Sequence, residues 1–311
     1  MSPISERVSG RRELLLAMGA FAAMIPASTF ASSDTDGLFV PAQTRWTDPP
    51  PQSPVDAGLR PLGHVRLFAW DTGGPGEAVV LLHPMTGSHA VWPYQQPVLA
   101  AAGYRVIGYS RRGFLGSDPR PADGDADDAG DLRALLDHLG IARTHLIASA
   151  AGGFVAREFV ARFPERVRTL VMASTIAVAP PSEILAMRNT LPSDATSAAV
   201  RELGPAYRAN NPAGMHRWIA LERQARHGPA PHRGGPRRPF DPATLPPLLC
   251  ITGDADRYAP PALMRAFVRT LPHAELAVIA DGGHALFWEQ PEGFNRTILS
   301  FLERNRGRSL S

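Results

Sequence analysis

The chain has 311 residues, of which 44% are hydrophobic, so it can form one large α/β domain with an insertion or at most two domains. All 32 basic residues are arginine, which excludes a Schiff-base lysine, a lysine general base and a P-loop lysine. The net charge is +3 and the arginines are scattered among acids, which does not indicate a nucleic-acid binder. The single cysteine, Cys250, excludes an internal disulfide and a multi-cysteine metal site.

The first 31 residues have the pattern of an export signal. Arg11 and Arg12 precede an apolar, alanine-rich stretch that reaches Ile25, and small residues continue to Ala31. The apolar run is too short to span a bilayer comfortably. Paired arginines before such a run resemble a twin-arginine signal. We therefore predict a periplasmic or secreted protein that is not held in the membrane once residues 1–31 are removed.

An extended arm and then an alternating body follow the signal. Residues 32–63 are rich in Pro, Asp and Ser, and predict an arm with little regular structure. Apolar patterns then predict strands at 64–70, 77–83, 104–109, 145–148, 167–173, 247–252 and 275–280. Helical patterns lie at 92–102, 130–139, 152–163 and from residue 291 onward. This alternation predicts a mostly parallel sheet covered by helices on both faces, with functional residues at the carboxyl ends of the strands.

One segment interrupts the alternation. Residues 175–246 contain no apolar strand run, and carry helical patches at 198–208 and 215–226. We predict a helical cap here, inserted into a core made of residues 64–174 and 247–305. A cap of this kind forms the ceiling of a pocket and sets the choice of substrate.

Five segments carry a family resemblance. They are Leu-Leu-His-Pro-Met-Thr-Gly-Ser at 81–88, Tyr-Ser-Arg-Arg-Gly-Phe-Leu-Gly-Ser at 109–117, Leu-Ile-Ala-Ser-Ala-Ala-Gly-Gly at 146–153, Thr-Gly-Asp-Ala-Asp-Arg-Tyr-Ala-Pro at 252–260 and Asp-Gly-Gly-His at 281–284. In this order they resemble the α/β-hydrolase fold family, over about residues 64 to 302. The resemblance implies an α/β fold with a mostly parallel central sheet, helices on both faces and a helical cap.

The third of these segments resembles the nucleophile elbow of the family, Leu-x-Gly-x-Ser-x-Gly-Gly. Aligning Gly152 and Gly153 places Ala150 where the nucleophilic serine stands. Both flanks match without a gap, whereas making Ser149 the nucleophile requires a one-residue slip. An alanine methyl cannot attack a substrate, so the usual covalent step is missing.

The other members of a hydrolase site are implied by the same resemblance. The segment at 252–260 selects Asp256 as the acid, and the Gly-His at the end of 281–284 makes His284 the base. The backbone N–H groups of Met85 and Ala151 correspond to the two donors of the oxyanion hole. No metal or organic cofactor is implied.

Several hypotheses remain open for the chemistry. In the first, the His284–Asp256 dyad activates water against a small ester, lactone or carbonyl-activated substrate. The same dyad could serve a lyase, an isomerase or a cofactor-free oxygenase. A second hypothesis replaces the missing nucleophile with the hydroxyl of Ser149, Thr86 or Ser88. A third is a pseudoenzyme that only binds a small ligand, and a fourth is that the alanine was introduced by engineering.

Aromatic residues near the predicted site are candidates for an apolar substrate pocket. Trp92 follows the first loop, Tyr207 and Trp218 belong to the cap, and Phe287 follows His284. The same residues could instead form the core of the cap. The expected partner of the protein is a small-molecule substrate.

Overall fold

A computed structural model of the chain describes residues 37–121, 126–177, 182–189, 197–228 and 244–307. The predicted export signal lies outside the described residues and stays a prediction. Among the helices that are described, none is long and apolar enough to cross a membrane.

Nine strands form one mixed sheet. They are β1 (Leu38–Val40), β2 (Asp56–Pro61), β3 (Arg66–Asp71), β4 (Ala78–Leu82), β5 (Arg105–Tyr109), β6 (Thr144–Ser149), β7 (Val167–Ala173), β8 (Leu248–Gly253) and β9 (Glu275–Ile279). Their order across the sheet is β1-β9-β8-β7-β6-β4-β5-β3-β2. Strand β3 runs antiparallel to both β2 and β5, and the other neighbouring pairs are parallel. The prediction of a mostly parallel sheet is confirmed.

Helices connect the strands and form the insertion. They are α1 (Gln96–Ala101), α2 (Asp128–His138), α3 (Gly152–Arg162), α4 (Ser182–Asn189), α5 (Ala198–Glu202), α6 (Pro205–Asn210), α7 (Pro212–Ala225), α8 (Pro261–Val268), α9 (Leu286–Glu289) and α10 (Pro291–Arg304). Local chemistry sets several starts. The Asp127 side chain accepts a hydrogen bond from the Gly130 N–H at 3.0 Å, which caps α2. A proline stands at the first position of α10, where its missing N–H costs nothing.

Each face of the sheet has its own hydrophobic core. Leu146 and Leu170 pack with side chains of α2, α3 and α8. Their chain neighbours Ile147 and Val171 pack with side chains of α1 and α10 on the other face. Because successive residues of a strand point to opposite faces, two clusters with helices on both sides follow from strands that are apolar throughout.

The N-terminal arm contains two strands, which differs from the expectation of little regular structure over residues 32–63. Strand β1 pairs with β9 and strand β2 pairs with β3, so each lies at one edge of the sheet. The sequence of β2, Asp-Ala-Gly-Leu-Arg-Pro, is mostly exposed and has no apolar alternation. Edge strands with one solvated side need little apolar surface, so the pattern gave no strand signal.

The predicted cap region contains helices α4 to α7 among its described residues. The single helical patch expected at 198–208 is two helices, because Gly204 and Pro205 end α5 and begin α6. On α7, the Trp218 side chain is buried against the core. The domain boundaries themselves stay predictions.

Candidate active site

A sharp turn joins β6 to α3, with Ala150 at its tip. Ala150 has φ of 47°, a left-handed conformation that costs an L-residue about 1 kcal/mol or more. Its N–H donates to the Ala173 carbonyl at 2.9 Å, which fixes the tip to β7. A Cβ on Gly152 would lie 2.2 Å from the Leu82 carbonyl oxygen, so only glycine lets α3 start this close to β4. The turn therefore has the geometry of a nucleophile elbow, and its outermost side chain is a methyl group.

The alternative hydroxyls lie in less suitable places. Ser149 is the last residue of β6, is 1% exposed, and its hydroxyl has no hydrogen-bond partner in the described part of the chain. Ser88 is also buried, and its hydroxyl accepts the Ala90 N–H at 3.3 Å as a helix cap. Neither hydroxyl is at the tip of the turn, which favours Ala150 as the residue in the nucleophile position.

Asp256 and His284 lie in contact beyond the ends of β8 and β9. The Asp256 carboxylate is 3.0 and 3.1 Å from Nδ1 of His284. Asp256 also accepts the N–H groups of Tyr258, at 2.8 Å, and Ala259, at 3.0 Å. With Nδ1 engaged by the carboxylate, Nε2 of His284 is the nitrogen left to exchange a proton. The structure thus brings together the predicted acid and base.

The surroundings shift the pKa values of both groups. Burial alone would raise the pKa of Asp256, but the His284 charge and the hydrogen bonds to the carboxylate hold it below its ordinary value. Burial alone would lower the pKa of His284, but the Asp256 charge and hydrogen bond raise it, and the carboxylate of Glu202 adds to this. The pair therefore favours an imidazolium next to an ionised carboxylate once a proton has been taken up.

Two backbone N–H groups remain free near the turn. In the described part of the chain, the N–H groups of Met85 and Ala151 have no acceptor. The Pro84 carbonyl accepts hydrogen bonds from Arg111 at 3.2 Å and from the His83 ring at 2.8 Å. These bonds fix the loop that carries Met85. A fixed loop with an unused donor can stabilise negative charge on a substrate oxygen.

The predicted pocket aromatics are all fully buried. Trp92 and Phe287 have ring centroids 4.5 Å apart, and Trp218 lies 6.0 Å from the same Phe287 ring. Tyr207 packs instead against Trp46, at 6.0 Å. Trp92 and Trp218 thus both pack against Phe287, so three of the four aromatics form one cluster.

Two buried carboxylates near the dyad were not found from the sequence. Glu202, at the end of α5, is 8% exposed, and its charge contributes to the raised pKa of His284. Glu289 is 0% exposed and accepts the Gly204 N–H at 2.6 Å and the Gly283 N–H at 3.1 Å. Glu202 ends a short helix and Glu289 ends the buried segment Leu-Phe-Trp-Glu, and neither sequence by itself indicates a carboxylate at the site.

Glu289 joins the cap to the loop that carries His284. Gly204 lies in the predicted cap between α5 and α6, and Gly283 directly precedes His284. The two backbones pack so tightly that a Cβ on Gly283 would be 2.4 Å from the Gly204 nitrogen. Burial raises the pKa of Glu289 to about 8, although both N–H bonds oppose this.

We expect the Glu289→Ala variant to be destabilised by about 3 kcal/mol, because two buried N–H groups lose their acceptor. Since the folded-state pKa is raised, the contribution of Glu289 is complete below about pH 4.5 and is lost as the pH rises through about 8. Urea unfolding of both proteins at several pH values measures it. The exposed Glu292, one turn along, is the matched control, and Glu292→Ala should cost less than about 1 kcal/mol. Equal urea midpoints for the two variants would contradict the assigned role.

No three His, Cys, Asp or Glu side chains form a possible metal site within the ranges that the structure describes.

Comparison with known proteins identifies the family. Residues 77–229 match the family model described as alpha/beta hydrolase fold. A 2-hydroxy-6-oxononadienedioate/2-hydroxy-6-oxononatrienedioate hydrolase from Burkholderia vietnamiensis is 30% identical over 264 residues, covering 77% of this chain and 92% of the relative. An esterase structure from Thermogutta terrifontis is 26% identical with a TM-score of 0.64, covering 78% of this chain and 94% of that one.

A third relative supports the fold alone. The enol-lactonase structure from Burkholderia xenovorans LB400 is 20% identical with a TM-score of 0.62, and covers 79% of this chain and 99% of that one. The sequence relatives include named hydrolases, and their match extends over most of both chains. The chain therefore belongs to the α/β hydrolase fold family, and its relatives identify it as a hydrolase.

Proposed function

We propose that the protein hydrolyses a small ester, lactone or similarly activated carbonyl compound by direct attack of water, without an acyl-enzyme. The observation that carries this proposal is the methyl group of Ala150 at the tip of the turn after β6, in a chain that also holds a hydrogen-bonded His284–Asp256 pair. A methyl group cannot form an ester with the substrate. The imidazole can still take a proton from water.

The proposed reaction uses the groups in the following order. Nε2 of His284 takes a proton from water as the water oxygen bonds to the carbonyl carbon. The electron pair of the C=O bond moves to the oxygen, which the N–H groups of Met85 and Ala151 stabilise. When that pair returns, the bond to the leaving group breaks, and the leaving oxygen takes the proton from His284.

The rate enhancement expected over the reaction in water decides which bonds the protein can hydrolyse. Serine hydrolases that have lost a triad member keep about 10³–10⁴-fold catalysis over water. That corresponds to about 4–5.5 kcal/mol of the activation barrier. Activated esters and lactones need no more than this for useful turnover, whereas amides do. The Thermogutta neighbour is named an esterase, which agrees with this substrate class.

A trapping experiment tests the missing covalent step. The protein is mixed with p-nitrophenyl butyrate, quenched in acid during turnover and examined by intact mass spectrometry. We expect nitrophenol release with no butyryl adduct, and no labelling by a fluorophosphonate probe. A protein with a serine at position 150 serves as the positive control for both. An adduct on the natural chain, or no turnover with any member of a panel of activated esters and lactones, would contradict the proposal.

A further inference from the structure

Glu202 is a buried carboxylate that the proposed reaction does not yet use. It is the last residue of α5 and is only 8% exposed. Two polar groups of the site face it, the Thr86 hydroxyl and the Trp218 indole N–H. Both groups are buried and have no hydrogen-bond partner within 3.5 Å in the described part of the chain. An acidic side chain is rarely buried to this extent unless it is paired, because burial disfavours its charged form.

The backbone fixes Glu202 beside the catalytic histidine. Its carbonyl accepts the Ala285 N–H at 2.9 Å, and Ala285 directly follows His284. A Cβ added to Gly283 would lie 2.7 Å from the same Glu202 carbonyl oxygen, so the two segments are in close contact on both sides of His284. Main-chain packing thus sets the position of the Glu202 backbone beside the loop that carries His284, and this position does not depend on a bound substrate.

The charges of Glu202 and His284 act on each other. Burial raises the pKa of Glu202, and the charge of Glu222 on α7 raises it further, while His284 lowers it. In return, Glu202 contributes to the raised pKa of His284, after the larger contribution of Asp256. The Tyr258 ring also faces the imidazole, with its centroid 4.6 Å away. His284 therefore has one carboxylate bonded to Nδ1 and a second one close by in the cap.

We propose that Glu202 is the third side chain of the reacting site, where its carboxylate holds the attacking water for Nε2 of His284 and stabilises the imidazolium as it forms. This inference rests on the proposed function, because Glu202 gives the attacking water the fixed position that a serine hydroxyl has in the usual reaction. The proton balance is unchanged: water gives its proton to His284, and His284 returns it to the leaving oxygen. Glu202 accepts a hydrogen bond from the water and keeps its charge throughout.

The same carboxylate restricts the substrate. A carboxylate on the acyl group of the substrate would be repelled by Glu202, so neutral acyl groups are favoured. The Burkholderia relative is named for a dioate, which carries two carboxylates. We infer that this chain selects uncharged acyl groups.

The test compares Glu202→Gln with Glu222→Gln, a matched charge removal on a partly exposed position of the cap. The titration of His284 is followed by NMR in protein with labelled histidine, and the signal is assigned with the His284→Ala variant. We expect the pKa of His284 to fall in Glu202→Gln and to stay unchanged in Glu222→Gln. An identical titration in the wild type and Glu202→Gln would overturn the inference. This readout needs no turnover, so it is separate from a failure of the proposed function.

Kinetics test the water-holding role. In Glu202→Gln we expect kcat for p-nitrophenyl butyrate to fall about a hundredfold, as loss of reactant orientation does. The acid limb of its pH profile moves to lower pH, because the histidine loses a proton more easily. The preference for p-nitrophenyl butyrate over p-nitrophenyl hemiglutarate falls about fivefold or more, since one nearby charge is gone. An unchanged kcat would show that Glu202 does not hold the water, and an unchanged preference would show that it does not select the acyl group.

Discussion

Replacing His284 by alanine is expected to lower kcat/KM for p-nitrophenyl butyrate by about 10²–10⁴-fold, the usual contribution of a general base. Asp256 holds Nδ1 of His284 at 3.0 Å, so Nε2 of the same ring is the nitrogen that exchanges the proton, and the alanine variant lacks it. In the variant the Asp256 carboxylate keeps the N–H groups of Tyr258 and Ala259, at 2.8 and 3.0 Å, but loses the imidazole, so the urea midpoint of the variant is measured beside its kinetics. Steady-state kinetics on the purified variant measure the effect.

The control is His216→Ala, which removes an exposed histidine from α7 and should leave kcat/KM unchanged. The pH profile of the wild type adds a second check. His284 acts as a base in its neutral form, and its pKa is raised, so activity rises with pH along a limb whose midpoint lies above about 6.5. A His284→Ala variant that hydrolyses the ester like the wild type would show that the dyad is not the catalytic base.

The core of the fold could be predicted because each of its central strands has a continuous apolar run, such as Leu-Ile-Ala in β6 and Leu-Val-Met-Ala in β7. β6 and β7 are buried on both faces, so their sequences indicate strands without any knowledge of their neighbours. β1 has only three residues and β2 is largely exposed, so both depend on pairing with a partner strand. These pairings join segments that are far apart in the chain, so a local sequence pattern cannot predict them.

The same distinction applies to the site. The residues of the elbow and the dyad lie in short motifs at strand ends, where backbone geometry dictates the sequence. Glu202 and Glu289 have no such motif. Glu289 binds the Gly204 N–H across 85 positions of the chain, and Glu202 meets His284 only because α5 packs on the histidine loop. Neither local sequence names the partners of its carboxylate, and only the docking of the cap brings those partners together.

Replacing Ala150 by serine is expected to have the opposite effect to the loss of His284. The tip already holds a non-glycine residue at φ of 47°, so a serine adds one oxygen and no new backbone strain. Its hydroxyl would stand beside an oriented His–Asp pair and two free backbone donors. We expect an acyl-enzyme burst with p-nitrophenyl butyrate, labelling by a fluorophosphonate probe, and about a hundredfold or greater rise in the rate of ester cleavage.

Ser149→Ala is the matched control, because it removes a hydroxyl one residue earlier, inside β6. In the natural background it should leave turnover unchanged, and in the Ala150→Ser background it should leave the probe labelling unchanged. If Ala150→Ser gains the burst but loses the activity on the natural substrate, the alanine provides the space that the attacking water needs. In that case the Glu202 carboxylate and the new hydroxyl compete for His284. If Ala150→Ser shows neither burst nor labelling, then Nε2 of His284 does not reach the tip of the turn, and water activation at this position is also excluded.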